Sequence, residues 1–282
     1  MSTIARPIAF QGQLGAYSHM ACQHMFPNMP VLPCRSFDDA FAAVRDGRAA
    51  LAMIPVDNTL AGRVADVHHL LPQGGLYIVG ECFERVRHNL MALPGVTIAQ
   101  IKVVETHIHA IGQCRRFLKD HRLEARVAAD TAGAAADLVK SGARDKAAIA
   151  SRLAAEIYGL DILAADIEDE AHNTTRFLIL AAEPDAPEDD GTPVLTTFTF
   201  TVRNVPAALY KALGGFATNG VNMVKLESYI DGTFTQASFL ADIMGHPAQT
   251  SVQRAFEELS FFARDVTVLG TYRASPSRAR IS

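Results

Sequence analysis

The chain has 282 residues, 49% of them hydrophobic and 20% charged, with a formal net charge of −4. These values fit a globular protein of two ordinary domains, and they supply no general attraction to nucleic acid or anionic lipid. No apolar run approaches bilayer-spanning length, the N-terminus lacks an apolar signal core, and Cys22, Cys34, Cys82 and Cys114 form no CxxC pair, so free thiols in a reducing, cytoplasmic compartment are expected.

In chain order, Ile8-Ala9-Phe10 reads as a strand, followed by Gln11-Gly12-Gln13-Leu14-Gly15-Ala16-Tyr17-Ser18 and a helix from His19 to Met25. Two glycines let the backbone turn tightly and approach a ligand, and Ser18 suits a helix cap whose N–H groups face an anion. An ordinary βα turn would also explain the segment, and its spacing is not a dinucleotide fingerprint. Ser36-Phe37-Asp38-Asp39 opens a helix that runs to Arg45. Ala50–Pro55 is the next strand, ending in Val56-Asp57-Asn58-Thr59-Leu60-Ala61-Gly62-Arg63, at the end of an α/β strand where ligands bind. A helix Val64–Leu71 follows. His68 and His69 on it do not face each other, and no metal pair is expected there.

Leu76–Cys82 and His88–Leu93 read as strands. A βα rhythm continues through strand Ile101–Val104, helix His109–Asp120, strand Ala125–Ala128, helix Ala132–Ser141, strand Ala147–Ala150 and helix Arg152–Tyr158. Ser151 caps that last helix, making a third hydroxyl at a strand-to-helix junction beside Ser18 and Thr59; capping alone would account for each. The alternation implies an α/β fold with largely parallel sheets.

Ala171-His172-Asn173-Thr174-Thr175-Arg176-Phe177 then places hydroxyl, amide and guanidinium groups at the mouth of the apolar strand Phe177–Ala181. Arg176 offers a fork suited to a carboxylate and Thr175 a rotatable donor. A polar loop with Arg176 in a surface ion pair is the plainer account. Residues 183–193, rich in Pro, Asp and Glu, mark a linker. Beyond it come strand Leu195–Val202, helix Ala207–Thr218 closed by Asn219-Gly220, a hairpin Met223–Ile230 and Thr233–Asp242 around Asp231-Gly232, helix Ser251–Ala263 and strand Val266–Tyr272. This order, βαββαβ, is ferredoxin-like. The tail 275–282 is polar and expected to be loose.

Four motifs in this order resemble the prephenate dehydratase family in its two-domain form with a regulatory ACT domain. They are Gly12–Ser18; Pro55–Gly62, similar to the family's Pro-Ile-Glu-Asn-Ser-x-x-Gly; Asn173–Phe177, with its Thr-Arg-Phe signature; and Phe216–Ser228, similar to the phenylalanine-binding ACT segment. Asp57 stands where Glu is usual, Thr59 where Ser is, Tyr229-Ile230 where Arg-Pro is, and Val205-Pro206-Ala207-Ala208-Leu209 replaces Gly-Ala-Leu-Ala.

The resemblance implies a two-lobed, periplasmic-binding-protein-like α/β catalytic domain over 1–182, with lobe 1 about 1–80 and 170–182 and lobe 2 about 81–169. A linker 183–193, a ferredoxin-like ACT domain over 194–274 and the tail 275–282 would complete the chain. The activity implied is conversion of prephenate to phenylpyruvate, carbon dioxide and water, with phenylalanine as effector and no metal, nucleotide or flavin. Thr175, Asn58 and Ser151 would be catalytic. Arg176, Thr59, Ser18, Phe177 and Gly15 would bind substrate, and Ala207, Leu209, Gly220, Val221, Asn222, Glu227 and Ser228 the effector. ACT domains usually pair, so a homodimer or homotetramer is expected. No fused chorismate mutase is expected ahead of residue 8. Arogenate dehydratase, and a two-lobed sensor of a small acid without turnover, stay open.

Overall fold

The computed structural model describes residues 6–230 and 237–278, and the chain divides into two compact units: residues 1–67 with 82–177, and residues 68–81 with 178–282. The chain passes between them three times, inside a helix between residues 67 and 68 and inside two strands, near residues 81 and 177. Residues 68–81 and 178–182, expected in the first lobe, therefore group with the C-terminal segment. The expected Asp231-Gly232 turn lies outside the described residues.

In chain order the first unit and its connecting strands comprise β1 (Ile8–Gln11), α1 (Tyr17–Met25), β2 (Val31–Cys34), α2 (Phe37–Arg45), β3 (Leu51–Asn58), β4 (Gly62–Arg63), α3 (Ala65–Leu70), β5 (Tyr77–Arg85), β6 (Asn89–Ala92), β7 (Val103–Thr106), α4 (Ile108–Gln113), α5 (Arg115–Asp120), β8 (Glu124–Val127), α6 (Thr131–Ser141), β9 (Lys146–Ala150), α7 (Arg152–Tyr158), β10 (Asp161–Ala164) and β11 (Thr174–Ala181). One sheet has the order β2-β1-β3-β11-β5, with β4 beside β3. Its β1 pairs in parallel with both β2 and β3. Ile8, Ala9, Phe10, Met53 and Ile54 are fully buried there, as near-continuous apolar runs covered on both faces should be.

The other sheet has the order β10-β6-β9-β7-β8. It is mixed rather than largely parallel: β7 runs parallel to β8 and β9, while β6 runs antiparallel to β9 and β10. Three helices start at the expected polar caps, but α1 does not: its N-cap is Ala16 with no side-chain bond, and Ser18, expected as the cap, lies inside the helix. Ser36 accepts from the Asp39 N–H, Asp130 from that of Gly133 and Ser151 from that of Ala154. The single helix expected over 109–120 is two, α4 and α5, broken at Cys114. The loop at Asp169 intercepts the ladder: its N–H donates to the Gln113 carbonyl at 2.6 Å, and its carboxylate accepts from the Arg116 N–H.

The second unit contains β12 (Val194–Val202), α8 (Ala208–Thr218), β13 (Met223–Ile230), β14 (Ala237–Met244), α9 (Thr250–Phe262) and β15 (Ala263–Arg273). Its four strands pair in the order β13-β14-β12-β15, all antiparallel. Phe198, Phe200, Phe216 and Phe239 share one core with Val252, Ala255 and Leu259 of α9. Gly215 lets α8 approach α9; a Cβ there would stand 2.7 Å from that of Glu258.

The tail is not loose at its start. Arg278 donates through Nε and Nη2 to the two carboxylate oxygens of Glu81, each at 2.7 Å, and Ser275 N–H also reaches Glu81. The Glu81 side chain is fully buried, so its charge demands a partner. The linker is tied down as well: Asp190 takes a bidentate pair from Arg273, and Asp189 accepts from Gln249.

Candidate active site

Within the first unit lies a cavity of about 600 Å³. The β1–α1 turn contributes Gly12, Tyr17 and Ser18, the β3–β4 loop Asn58 and Arg63, the segment around α4 His107, His109 and Gln113, and β11 Thr175 and Phe177. A smaller hollow of about 400 Å³ shares Ala61, His109 and Gln113 with it.

Asn58 and Thr175 meet. Asn58 Nδ2 donates to Thr175 Oγ1 at 3.0 Å and to Asn173 Oδ1 at 2.8 Å. Asn58 Oδ1 accepts from the N–H groups of Leu60 and Ala61 at 3.0 and 2.8 Å, a turn that locks the amide in one sense. Because Thr175 Oγ1 accepts from Asn58, the Thr175 hydroxyl keeps its own proton for the cavity it lines.

Four expected site residues sit elsewhere. Ser151 is 0% exposed, and its hydroxyl donates to the Gly15 carbonyl while capping α7, so it steadies the β1–α1 turn and does not reach the cavity. Gly15 has φ +89°, donates its N–H to His19 Nδ1 and packs so tightly that a Cβ would lie 2.7 Å from Ala154 Cα; it is a packing glycine. Thr59 turns outward, its Oγ1 donating to the His172 carbonyl and accepting from the Thr174 N–H. Arg176 is 7% exposed and lies 3.6 Å from Asp57. Successive strand side chains point to opposite faces, so with Thr175 and Phe177 on the cavity, Arg176 must face away. Ser18, Thr175, Asn58 and Phe177 do line the cavity.

The residues not anticipated are Gln113, His88, Tyr17 and Arg63. Arg63 lines the cavity and Arg176 does not. Gln113 Oε1 accepts from Asn173 Nδ2 at 2.9 Å and lies 2.7 Å from His88 Nε2; His88 Nδ1 lies 2.9 Å from the Tyr17 hydroxyl. Burial pushes the His88 pKa down and the Tyr17 pKa well up. His107, lowered by burial and by its neighbour His109, is held in the same way. No sequence signal marks Gln113, which falls in the middle of the single helix expected over 109–120; only the break at Cys114 puts it at a helix end.

In the second unit, Gly220 takes φ +68°, as its turn requires, and Ala207, the N-cap of α8, takes φ +60°, a left-handed conformation uncommon for a non-glycine residue. Val221 belongs to the core of this unit, and Leu209 is partly buried against it. Glu227 pairs opposite Leu240 and Ser228 opposite Phe239, so the two side chains leave opposite faces of β13 and do not converge.

An α/β unit whose two sheets both contribute to a cavity lined by amide and hydroxyl groups, histidines and the ionisable Arg63, Asp66 and Asp130 has the setting of an enzyme that binds a small polar substrate. The prephenate dehydratase family model matches residues 8–185, and the chain belongs to that family. It is 49% identical to a bifunctional N-acyl-homoserine lactone acylase/prephenate dehydratase of Komagataeibacter europaeus, over 98% of both chains. It is 39% identical to arogenate dehydratase/prephenate dehydratase 1 of Arabidopsis thaliana, over 94% of this chain and 71% of that one. The solved structure of a prephenate dehydratase from Arthrobacter aurescens in complex with L-Phe superposes with a TM-score of 0.87 at 30% identity, over 95% of this chain and 90% of that one. Among the described residues no helix is long and apolar enough to cross a membrane.

Proposed function

We propose that the chain converts prephenate to phenylpyruvate, and that the hydroxyl proton of Thr175, freed by the Asn58 hydrogen bond, is the donor at the leaving oxygen. In this reaction the electrons of the carboxylate-bearing C–C bond flow into the ring as carbon dioxide departs. They expel the ring hydroxyl, which leaves as water with one added proton, and the ring becomes aromatic. A threonine hydroxyl is a weak acid, so its contribution is a preorganised hydrogen bond to an oxygen gaining negative charge, worth on the order of 10²–10³ in rate. The proton finally gained comes through that contact from solvent or a neighbouring group. Arg63 takes the carboxylate-holding role first expected of Arg176, with Ser18 and the start of α1 as further donors.

The reading rests on the Asn58–Thr175 contact at 3.0 Å within the family-matched region. Ultraviolet detection of phenylpyruvate from prephenate tests it, with arogenate as competing substrate. No turnover of either would leave a binding protein. The 49% identity to a chain carrying an acylase name favours one further activity, hydrolysis of an N-acyl-homoserine lactone, which a parallel assay decides.

For the second unit the proposal is an ACT domain that binds phenylalanine through backbone groups near Ala207, Gly220 and Asn222. The Arthrobacter structure's bound L-Phe supports this reading. Calorimetry with phenylalanine and activity at saturating effector test it; such regulation requires different affinities in two conformations. Assembly as at least a homodimer in the cytoplasm is part of the proposal, read by light scattering for the oligomer.

A further inference from the structure

We propose that His88 is a positioning residue: held as the neutral Nε2–H tautomer, it fixes the Gln113 side-chain amide so that both its N–H donors are presented to the cavity. Backbone groups, whose polarity cannot reverse, fix the direction of these hydrogen bonds. Leu60 and Ala61 donate their N–H groups to Asn58, so the acceptor end of that amide is Oδ1 and its donor end is Nδ2. Nδ2 then requires an oxygen on Asn173, and finds Oδ1 at 2.8 Å. The Asn173 nitrogen in turn requires an oxygen on Gln113, and finds Oε1 at 2.9 Å.

That oxygen carries no proton, so His88 Nε2, 2.7 Å from it, must. His88 is 2% exposed and burial disfavours its charged form, which leaves Nδ1 as a lone pair that accepts from the Tyr17 hydroxyl. The acidic groups near this pair are Glu168, which accepts from the His88 N–H at 2.9 Å, and Glu84 and Asp166, which act on Tyr17. The Tyr17 hydroxyl is also placed to donate to the Arg87 carbonyl at 2.7 Å, so its one proton serves either that oxygen or His88 Nδ1. A charged His88 could therefore donate from Nδ1 to Tyr17 while Tyr17 donates to Arg87, leaving the Gln113 amide unturned. The chain thus has one polarity, with Gln113 Nε2 and the Thr175 hydroxyl as its two outlets on the cavity.

The kinetic part rests on the dehydratase reading; the tautomer does not. The experiment uses the full chain labelled with ¹⁵N-histidine, with the His88 signals assigned by their loss in His88→Gln. Protonated Nε2 and unprotonated Nδ1 at neutral pH are expected; a proton on Nδ1, alone or together with one on Nε2, overturns the proposal. In Gln113→Glu the new carboxylate should draw a second proton onto His88. A ring that stays neutral there counts against the contact.

In kinetics, His88→Leu should raise the KM for prephenate about tenfold and change kcat less than about threefold. His88→Gln keeps an N–H and an oxygen in the two needed places and should stay within about threefold of wild type. A folded His88→Leu enzyme with wild-type KM and kcat overturns the positioning role. Should His88→Leu not fold, His88→Gln and the Gln113→Glu spectrum still decide it. If the wild type turns over no substrate, the functional reading falls while the spectra still judge the tautomer.

Discussion

Asn58 Nδ2 donates to Thr175 Oγ1, 117 positions along the chain, at 3.0 Å, and so decides that the threonine donates elsewhere. Thr175→Ala should lower kcat by about two orders of magnitude or more, with the melting temperature little changed, because only one hydrogen bond is lost from the folded state. Thr175→Ser keeps the hydroxyl and should recover most of the rate. Steady-state kinetics beside thermal melts check both; a Thr175→Ala enzyme with near-normal turnover removes Thr175 from the mechanism.

Arg176→Leu should act on stability. The guanidinium is buried beside Asp57, on the side of β11 away from the cavity. Its removal takes a cation from beside a partly buried carboxylate, at a cost of roughly 1–3 kcal/mol once solvent screening of Asp57 is allowed for. Denaturant melts should show that loss, whereas Arg63→Leu should raise KM with stability nearly unchanged. The reverse pattern would return the carboxylate role to Arg176.

Ser151→Ala removes the cap of α7 and the donor to the Gly15 carbonyl together. About 1–3 kcal/mol of stability should go with them. Any loss of activity should follow from the loosened β1–α1 turn and should recover at lower temperature. A stable Ser151→Ala protein with no activity at any temperature would make Ser151 catalytic after all.

Truncation after residue 274 takes away Arg278 and leaves the buried Glu81 carboxylate without its bidentate partner. A destabilisation of about 3–5 kcal/mol is expected. Glu81→Gln in the truncated chain should restore part of it, because the uncompensated charge is gone. Urea melts of the three chains check this.

Stability should also depend on pH. Burial depresses the pKa values of His19, His88 and His107 below the ordinary 6.5. The unfolded chain then binds more protons than the folded one from pH 6.5 down to the folded pKa values, so stability is present above 6.5 and is lost as pH falls through that window. Glu84, raised above 4.5 mainly by burial, works in the opposite sense: its contribution is present below 4.5 and lost as pH rises through its folded pKa. Three histidines against one carboxyl predict a lower melting temperature at pH about 5.5 than at about 7.5. Replacing His88 by Gln should flatten the slope, and an unchanged slope would place the dependence on other groups.

Local patterns in the sequence were enough to place most helices and strands, the linker composition, and the loops that carry Asn58, Thr175 and Ser18. Helix caps, apolar runs and strand-end glycines act over a few residues, and such effects survive being read in one dimension. They were also enough to pick out Ser151, Gly15, Thr59 and Arg176 as polar or turn residues in the right neighbourhood, without saying which way each side chain points. Direction is a property of pairing and packing. The period of two along β11 turned Arg176 away from the cavity, and the closeness of Ala154 made Gly15 a packing residue. Gln113 entered because the Asp169 loop breaks a helix after it, and His88 because β6 buries it beside Tyr17. Each depends on residues tens of positions apart meeting within hydrogen-bond reach, which only the folded chain brings about.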